Sequence, residues 1–106
     1  MKTIHKNNDL VFSLELYDAD NQLINIDDLK DVDIELFTLT TKEDNYIKLD
    51  KQDITDNKLM VDNSQLQKLE EGILYIVVHL TFYNGEFPDN SYDYTKRIET
   101  NYYINE

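Results

Sequence analysis

No cysteine occurs in this sequence, and that one absence excludes disulfides, thiolate nucleophiles, zinc fingers and iron–sulfur ligation together. Glycine is nearly missing too. With only Gly72 and Gly85, neither a GxxxxGK(S/T) phosphate loop nor a GxGxxG dinucleotide turn can be written. A single proline, Pro88, alongside two glycines also excludes a collagen-like or linker-like chain. Basic charge is scarce: 10 Lys and Arg stand against 22 Asp and Glu, a formal net charge of −12. A nucleic-acid backbone needs cations to displace its counterions, and an anionic membrane surface needs them as well, so neither is an expected partner. Long apolar runs are lacking. The longest, Ile73–Tyr83, includes His79 and falls far short of the ~18–20 residues that span a bilayer. Five polar residues, His5 to Asp9, interrupt the N-terminal segment where a secretory signal would need ~7–15 apolar ones, so a soluble chain made in a cytoplasm is expected.

What is present is enough for one packed domain spanning residues 1–106. The chain is 41 % hydrophobic and 30 % charged, which excludes wholesale disorder. Period-two alternation dominates. Leu10, Phe12, Leu14 and Leu16 alternate with Val11, Ser13 and Glu15, predicting a half-buried strand, and Asp18–Gln22 supplies turn chemistry. Leu23, Ile24 and Ile26 predict a short return strand. Val32, Ile34 and Leu36 alternate with Asp33 and Glu35 in a strand reaching about Thr40. Tyr46–Leu49 and Lys58–Asp62 predict two short strands, Ile73–Tyr83 a long one and Tyr92–Asn105 another, the last with Tyr92, Tyr94, Ile98, Tyr102 and Ile104 on its inward parity. Residues 63–72 carry the one helical signal: Asn63 or Ser64 as cap, Leu66 and Leu69 one turn apart, and Gly72 at the left-handed position after the helix. The expectation is all-β: a single antiparallel sandwich of about seven strands with one short crossover helix.

The residues that could carry chemistry are few. Ser13, Ser64 and Ser91 lack a nucleophile-elbow context, and His5 and His79 are the only imidazoles. A base needs a nucleophile and an orienting group beside it, and the sequence supplies neither visibly, so no enzymatic activity and no cofactor are expected. Asp18-x-Asp20-x-Gln22 opens like a calcium loop, but Leu23 stands where a sharp turn needs Gly and Leu29 where a bidentate Glu is needed, so no metal site is expected.

Eight Tyr and four Phe are the conspicuous feature. On Ile73–Tyr83, Leu74, Ile76, Val78, Leu80 and Phe82 share one face. Tyr75, Val77, His79 and Tyr83 then lie on the face that should meet water, and Phe37 and Leu39 lie on the outward parity of their own strand. Those places are candidates for cover by the chain itself or by a partner protein, and Tyr75, Val77, His79 and Tyr83 form the candidate partner-binding set. A second candidate is the loop Asn84, Phe87, Asp89 and Asn90 with Tyr83 and Tyr92, whose aromatic faces could stack on sugar rings.

Three segments, L-Q-K-L-E-E-G-I-L-Y (66–75), F-Y-N-G-E-F-P-D-N-S-Y-D-Y-T (82–95) and E-T-N-Y-Y-I (99–104), together with the opening L-V-F-S-L-E-L-Y-D-A-D (10–20), resemble small immunoglobulin-like virion proteins of crAss-like tailed phages. The resemblance covers most of the chain through strand and loop preferences. It implies an immunoglobulin-like sandwich and a structural role as an auxiliary or decoration protein on the capsid exterior, made in the host bacterial cytoplasm and bound to the major capsid protein or other virion proteins. Acidity suits an outer surface, since an inner one faces genome phosphates. The alternatives are a glycan- or host-surface-binding fibre module and an acidic inhibitor that mimics DNA.

Overall fold

A computed structural model describes residues 1–17, 20–83, 85–86 and 91–105. Among these, the strands are β1 (Lys2–His5), β2 (Leu10–Ser13), β3 (Asp31–Phe37), β4 (Ile47–Asp50), β5 (Ile54–Thr55), β6 (Lys58–Val61), β7 (Gly72–Tyr83) and β8 (Ser91–Asn105), with one helical turn, α1 (Asn63–Leu66). They form a five-stranded sheet in the order β1-β8-β7-β3-β4 and a three-stranded sheet in the order β2-β6-β5. Every pairing is antiparallel except β1 with the end of β8, which run parallel from Lys2 opposite Tyr102 to His5 opposite Asn105. This edge pair departs from the expected all-antiparallel arrangement, and β1 was not expected at all. Only Ile4 of its four residues is buried, too little for an alternation to show.

The two sheets face each other across one apolar core. Val32, Ile34 and Leu36 of β3 and Leu74, Ile76, Val78 and Leu80 of β7 line the large sheet. Phe12, Leu59, Val61 and Ile54 line the small one, and Leu66 and Leu69 close one side. The alternation through Leu14 and Leu16 persists in burial after β2 ends: Leu14 N–H donates to Asn57 O at 2.7 Å, in the same register, and Leu16 O then accepts from Ile24 N–H at 2.7 Å. Asp56 and Asn57, with φ of 51° and 58°, make the left-handed two-residue turn that joins β5 to β6.

Asn57 also explains why the expected return strand at 23–26 does not form. Its side chain accepts from Ile26 N–H and donates to Ile24 O, both at 3.0 Å, so beyond the one backbone bond from Ile24 N–H to Leu16 O the segment is held by an amide rather than by a ladder. Among the described residues a single bridge, Tyr17 to Leu23, is the strand pairing found there, and Ile26–Asp28 winds into a 3-10 turn. The helix is shorter than its leucine spacing predicted, though both leucines are buried. Its cap is Asp62 rather than Asn63 or Ser64. The Asp62 carboxylate accepts from Gln65 N–H at 2.9 Å while the Gln65 amide oxygen accepts from Asp62 N–H at 3.1 Å. Gly72 is not in the left-handed helical region either. It opens β7 with φ of 146°, a backbone that side-chain-bearing residues rarely adopt.

β7 and β8 are at least three times the length of any strand in the small sheet. At ~3.3 Å per residue a twelve-residue strand spans about 40 Å, which accounts for the long dimension of the 47 × 26 × 22 Å molecule. Four-residue strands cannot cover it, and one end of the β7–β8 hairpin runs past the core.

Candidate functional site

The outer face of the large sheet is built in cross-strand rows from β3, β7 and β8. In register they read Phe37–Tyr75–Glu99, Glu35–Val77–Arg97, Asp33–His79–Thr95 and Asp31–Thr81–Asp93. Phe37 points outward by parity and is nonetheless buried. Its ring is stacked between Tyr46, centroid 4.5 Å away, and Tyr75, 5.7 Å away. The Arg97 guanidinium lies across the top, 4.8 Å from the Tyr75 ring and 5.4 Å from Phe37. Tyr75 O–H donates to the Glu99 carboxylate at 3.0 Å, which holds the phenol pKa above its usual value because ionisation would set two anions side by side. The chain therefore covers this corner of its own outer face.

Further along, Thr95 and Glu35 flank His79. Nδ1 is 3.0 Å from the Thr95 hydroxyl and Nε2 is 3.6 Å from the Glu35 carboxylate. A hydroxyl and an imidazole of one row thus meet a carboxylate of the next, a juxtaposition not visible in the sequence because it needs the register of three strands. The His79 side chain is 43 % exposed and that of Glu35 32 %. On this open sheet face the imidazole joins β7 to Thr95 of β8 and to Glu35 of β3. Thr81 O–H donating to the Asp93 carboxylate at 3.1 Å makes the next rung.

Of the candidate partner set, Tyr75, Val77 and His79 are half-buried in these rows, and Tyr83 is 69 % exposed beyond them. Of the aromatic loop, Asn84, Phe87, Asp89 and Asn90 lie outside the described residues. Tyr83 and Tyr92 do not make one platform. Tyr83 is opposite Ser91 and Tyr92 opposite Phe82, so the two rings belong to opposite faces of the hairpin. Asp18 of the calcium-like window is also outside the described residues, and Leu29, its twelfth position, is buried in the core.

A surface that alternation alone assigned to the core lies on the inner face of the same hairpin. Tyr92 and Tyr94 share the parity of Ile98 and Ile104, yet they are 43 % and 40 % exposed, because the small sheet ends before reaching them. Phe82 is half-buried, its ring 6.1 Å from Tyr92. Nearer the core, Tyr102 packs edge-on against Phe12 at 5.2 Å. The register between β7 and β8 slips there by two residues, from Tyr75–Glu99 to Ile73–Tyr103, which preserves the alternation. Thr100 O–H fills the gap by donating to Leu74 O at 2.7 Å.

A shallow depression of about 150 Å³ lies at the other end of β7, lined by Leu39, Thr40, Glu71, Gly72, Ile73 and Tyr75. Behind it a closed hydroxyl ring ties 38–41 to 70–71. Thr38 O–H donates to Glu70 O, Thr41 O–H therefore donates to Thr38, and Glu70 N–H donates to Thr41. Among the described residues no cluster of three or more His, Asp or Glu could hold a metal ion, and no helix is long and apolar enough to cross a membrane. No family model matches the chain, and no curated protein or solved structure matches it.

Proposed function

We propose that this chain is a non-enzymatic structural protein that works through protein–protein contact. In its specific form the proposal is an immunoglobulin-like auxiliary protein on the outside of a tailed-phage capsid. The observation that carries the contact reading is the β7–β8 hairpin, which runs past the core and exposes Tyr83 on the same outer face as Val77 and His79. Tyrosine gives large contact area at low entropic cost and is enriched in interface cores. The virion setting rests on the resemblance of residues 66–75, 82–95 and 99–104. The charge of −12 supports the exterior rather than the genome side. The bound face is that of Val77, His79 and Tyr83, continuing from the Tyr75–Arg97 corner.

Val77→Asp tests this. Val77 is half-buried between Glu35 and Arg97, whose opposite effects on a new carboxylate nearly cancel. The isolated protein should lose only about 1 kcal/mol, from partial apolar burial and strand preference. Co-sedimentation with capsids should fall steeply, because an unpaired carboxylate buried at an interface costs several kcal/mol. Unchanged melting with unchanged co-sedimentation places the contact elsewhere.

A further inference from the structure

The side of β8 turned away from β7 is an unfinished sheet edge. β1 covers it only from Tyr102 to Asn105. From Asp93 to Glu99 no strand pairs on that side among the described residues. Proteins commonly blunt such edges with charge or irregularity. Here the segment Ser91–Glu99 is regular, in unbroken register with Tyr83–Tyr75 of β7, and its midpoint is Thr95.

We propose that this edge pairs with the same edge of a second copy, antiparallel across a two-fold axis at Thr95, joining the two large sheets into one. A two-fold perpendicular to the sheet keeps each outer face outward. Opposed residues must then share parity, so only a residue can sit on the axis, never the space between two. Centring on Thr95 keeps the opposed residues Asp93–Arg97 within the open segment. On the outer face it sets Asp93 against Arg97 of the other copy, twice by symmetry. On the inner face it sets Tyr94 against Lys96 and Tyr92 against Ile98, an aromatic ring beside a cation and an apolar pair.

The neighbouring choices are worse. Centring on Tyr94 opposes Asp93 to Thr95, so the carboxylate meets no cation. Centring on Lys96 opposes Lys96 to itself and Asp93 to Glu99. Centring on Arg97 opposes two guanidinium groups. Centring on Ile98 brings Arg97 to Glu99 but drives Tyr94 toward Tyr102, where β1 already occupies the edge and the β7–β8 register slips. Lys96-Arg97 is the one adjacent basic pair in a chain of net charge −12, and it lies on this edge. Pairing turns Arg97 away from Tyr75 and Phe37, and Asp93 away from Thr81 O–H, so that each meets the other copy's opposite charge across the axis. If those charges served only to repel other strands, Asp93 would not stand symmetrically opposite Arg97 about the centre of the regular segment.

The proposal is independent of the virion reading and is tested on the isolated full chain by sedimentation equilibrium. The wild type should sediment at twice 12.6 kDa at about 100 µM. Asp93→Arg alone and Arg97→Asp alone should each be monomeric, since each sets like charges opposite one another at two places. Mixed one to one, the two variants should recover the doubled mass as a heterodimer, and the double charge swap should recover it within one chain. Asp93→Arg leaves the Arg97 contact on Tyr75 and Phe37 intact, so its monomeric state does not hinge on that corner. A monomeric wild type overturns the proposal. A dimer indifferent to both single changes, or a mixture that stays monomeric, overturns it as well.

Discussion

Phe37→Ala measures whether the outer face of the large sheet is covered by the chain itself. Phe37 is 6 % exposed although its parity points it away from the core. Its cover is the ring of Tyr46 on one side, the ring of Tyr75 on the other, and the Arg97 guanidinium above. Truncating a buried Phe to Ala costs ~3–5 kcal/mol in transfer and cavity terms. The stacked rings and the cation push toward the upper half of that range, since each aromatic pair adds ~0.5–1.5 kcal/mol beyond its area. Partial collapse of Tyr46 toward Tyr75 pulls the other way, and about 4 kcal/mol is the expected loss. Against a total of ~5–15 kcal/mol for a domain of this kind, that is a large share. It lowers the melting temperature by roughly 15–30 °C at ~4–8 °C per kcal/mol. Leu39→Ala is the control. Leu39 shares the outward parity but is 68 % exposed, so it should change stability by no more than ~0.5 kcal/mol. Urea denaturation with a common m-value reads both. A Phe37→Ala loss below about 1.5 kcal/mol would refute the stacked cover and return this corner to a surface awaiting a partner.

Where burial follows from a residue's own strand, alternation was legible. β3 and β7 stand where their leucines, isoleucines and valines put them, and Leu66 and Leu69 dock as their spacing required. Elements decided by distant partners were not legible. β1 exists because Ile4 meets the end of β8, a pairing between Lys2–His5 and Tyr102–Asn105. The stretch 23–26 has strand-like residues but no strand: after Ile24 N–H bonds Leu16 O, the Asn57 amide takes Ile24 O and Ile26 N–H in place of a ladder. A local pattern cannot announce a competitor more than thirty residues away.

The same division runs through the candidate surface. Parity correctly separated Tyr75, Val77, His79 and Tyr83 from the core-facing set. It could not tell that Arg97, from β8, would lie over Tyr75 and Phe37, or that Thr95 and Glu35 would flank His79, since both depend on registers between three strands. It also misassigned Tyr92 and Tyr94. Their parity is inward, but whether an inward residue is buried depends on how far the opposite sheet reaches, and that length is written in β2 and β6 rather than in β8.

The remaining expectations concern single groups. The isolated protein should show no binding to duplex or single-stranded DNA at physiological salt by fluorescence anisotropy, because its net charge is −12; micromolar binding would contradict that. The Asp62 carboxyl pKa is lowered by hydrogen bonds from Ser64 O–H and Gln65 N–H, so its contribution is present above about pH 4 and lost as pH falls through the depressed folded value. Asp62→Ala should therefore lower the melting temperature at pH 7 and narrow its gap to wild type toward pH 2. The Tyr75 pKa is raised, so its contribution holds below about pH 10 and fades as pH climbs through the raised value; Tyr75→Phe should flatten that alkaline loss in a pH series of melts. Asn57 supplies the sharpest test of a backbone effect. Its φ of 58° penalises Ala by ~1–2 kcal/mol relative to Gly, while both substitutions remove the same two hydrogen bonds to Ile24 and Ile26. Ordinarily Gly is the more damaging replacement, through its greater unfolded-state entropy. Here the order should reverse, with Asn57→Ala less stable than Asn57→Gly by about 1 kcal/mol in urea denaturation. Equal losses, or Ala the milder, would show that the left-handed turn relaxes and that the clamp on 24–26 alone sets the requirement for Asn57.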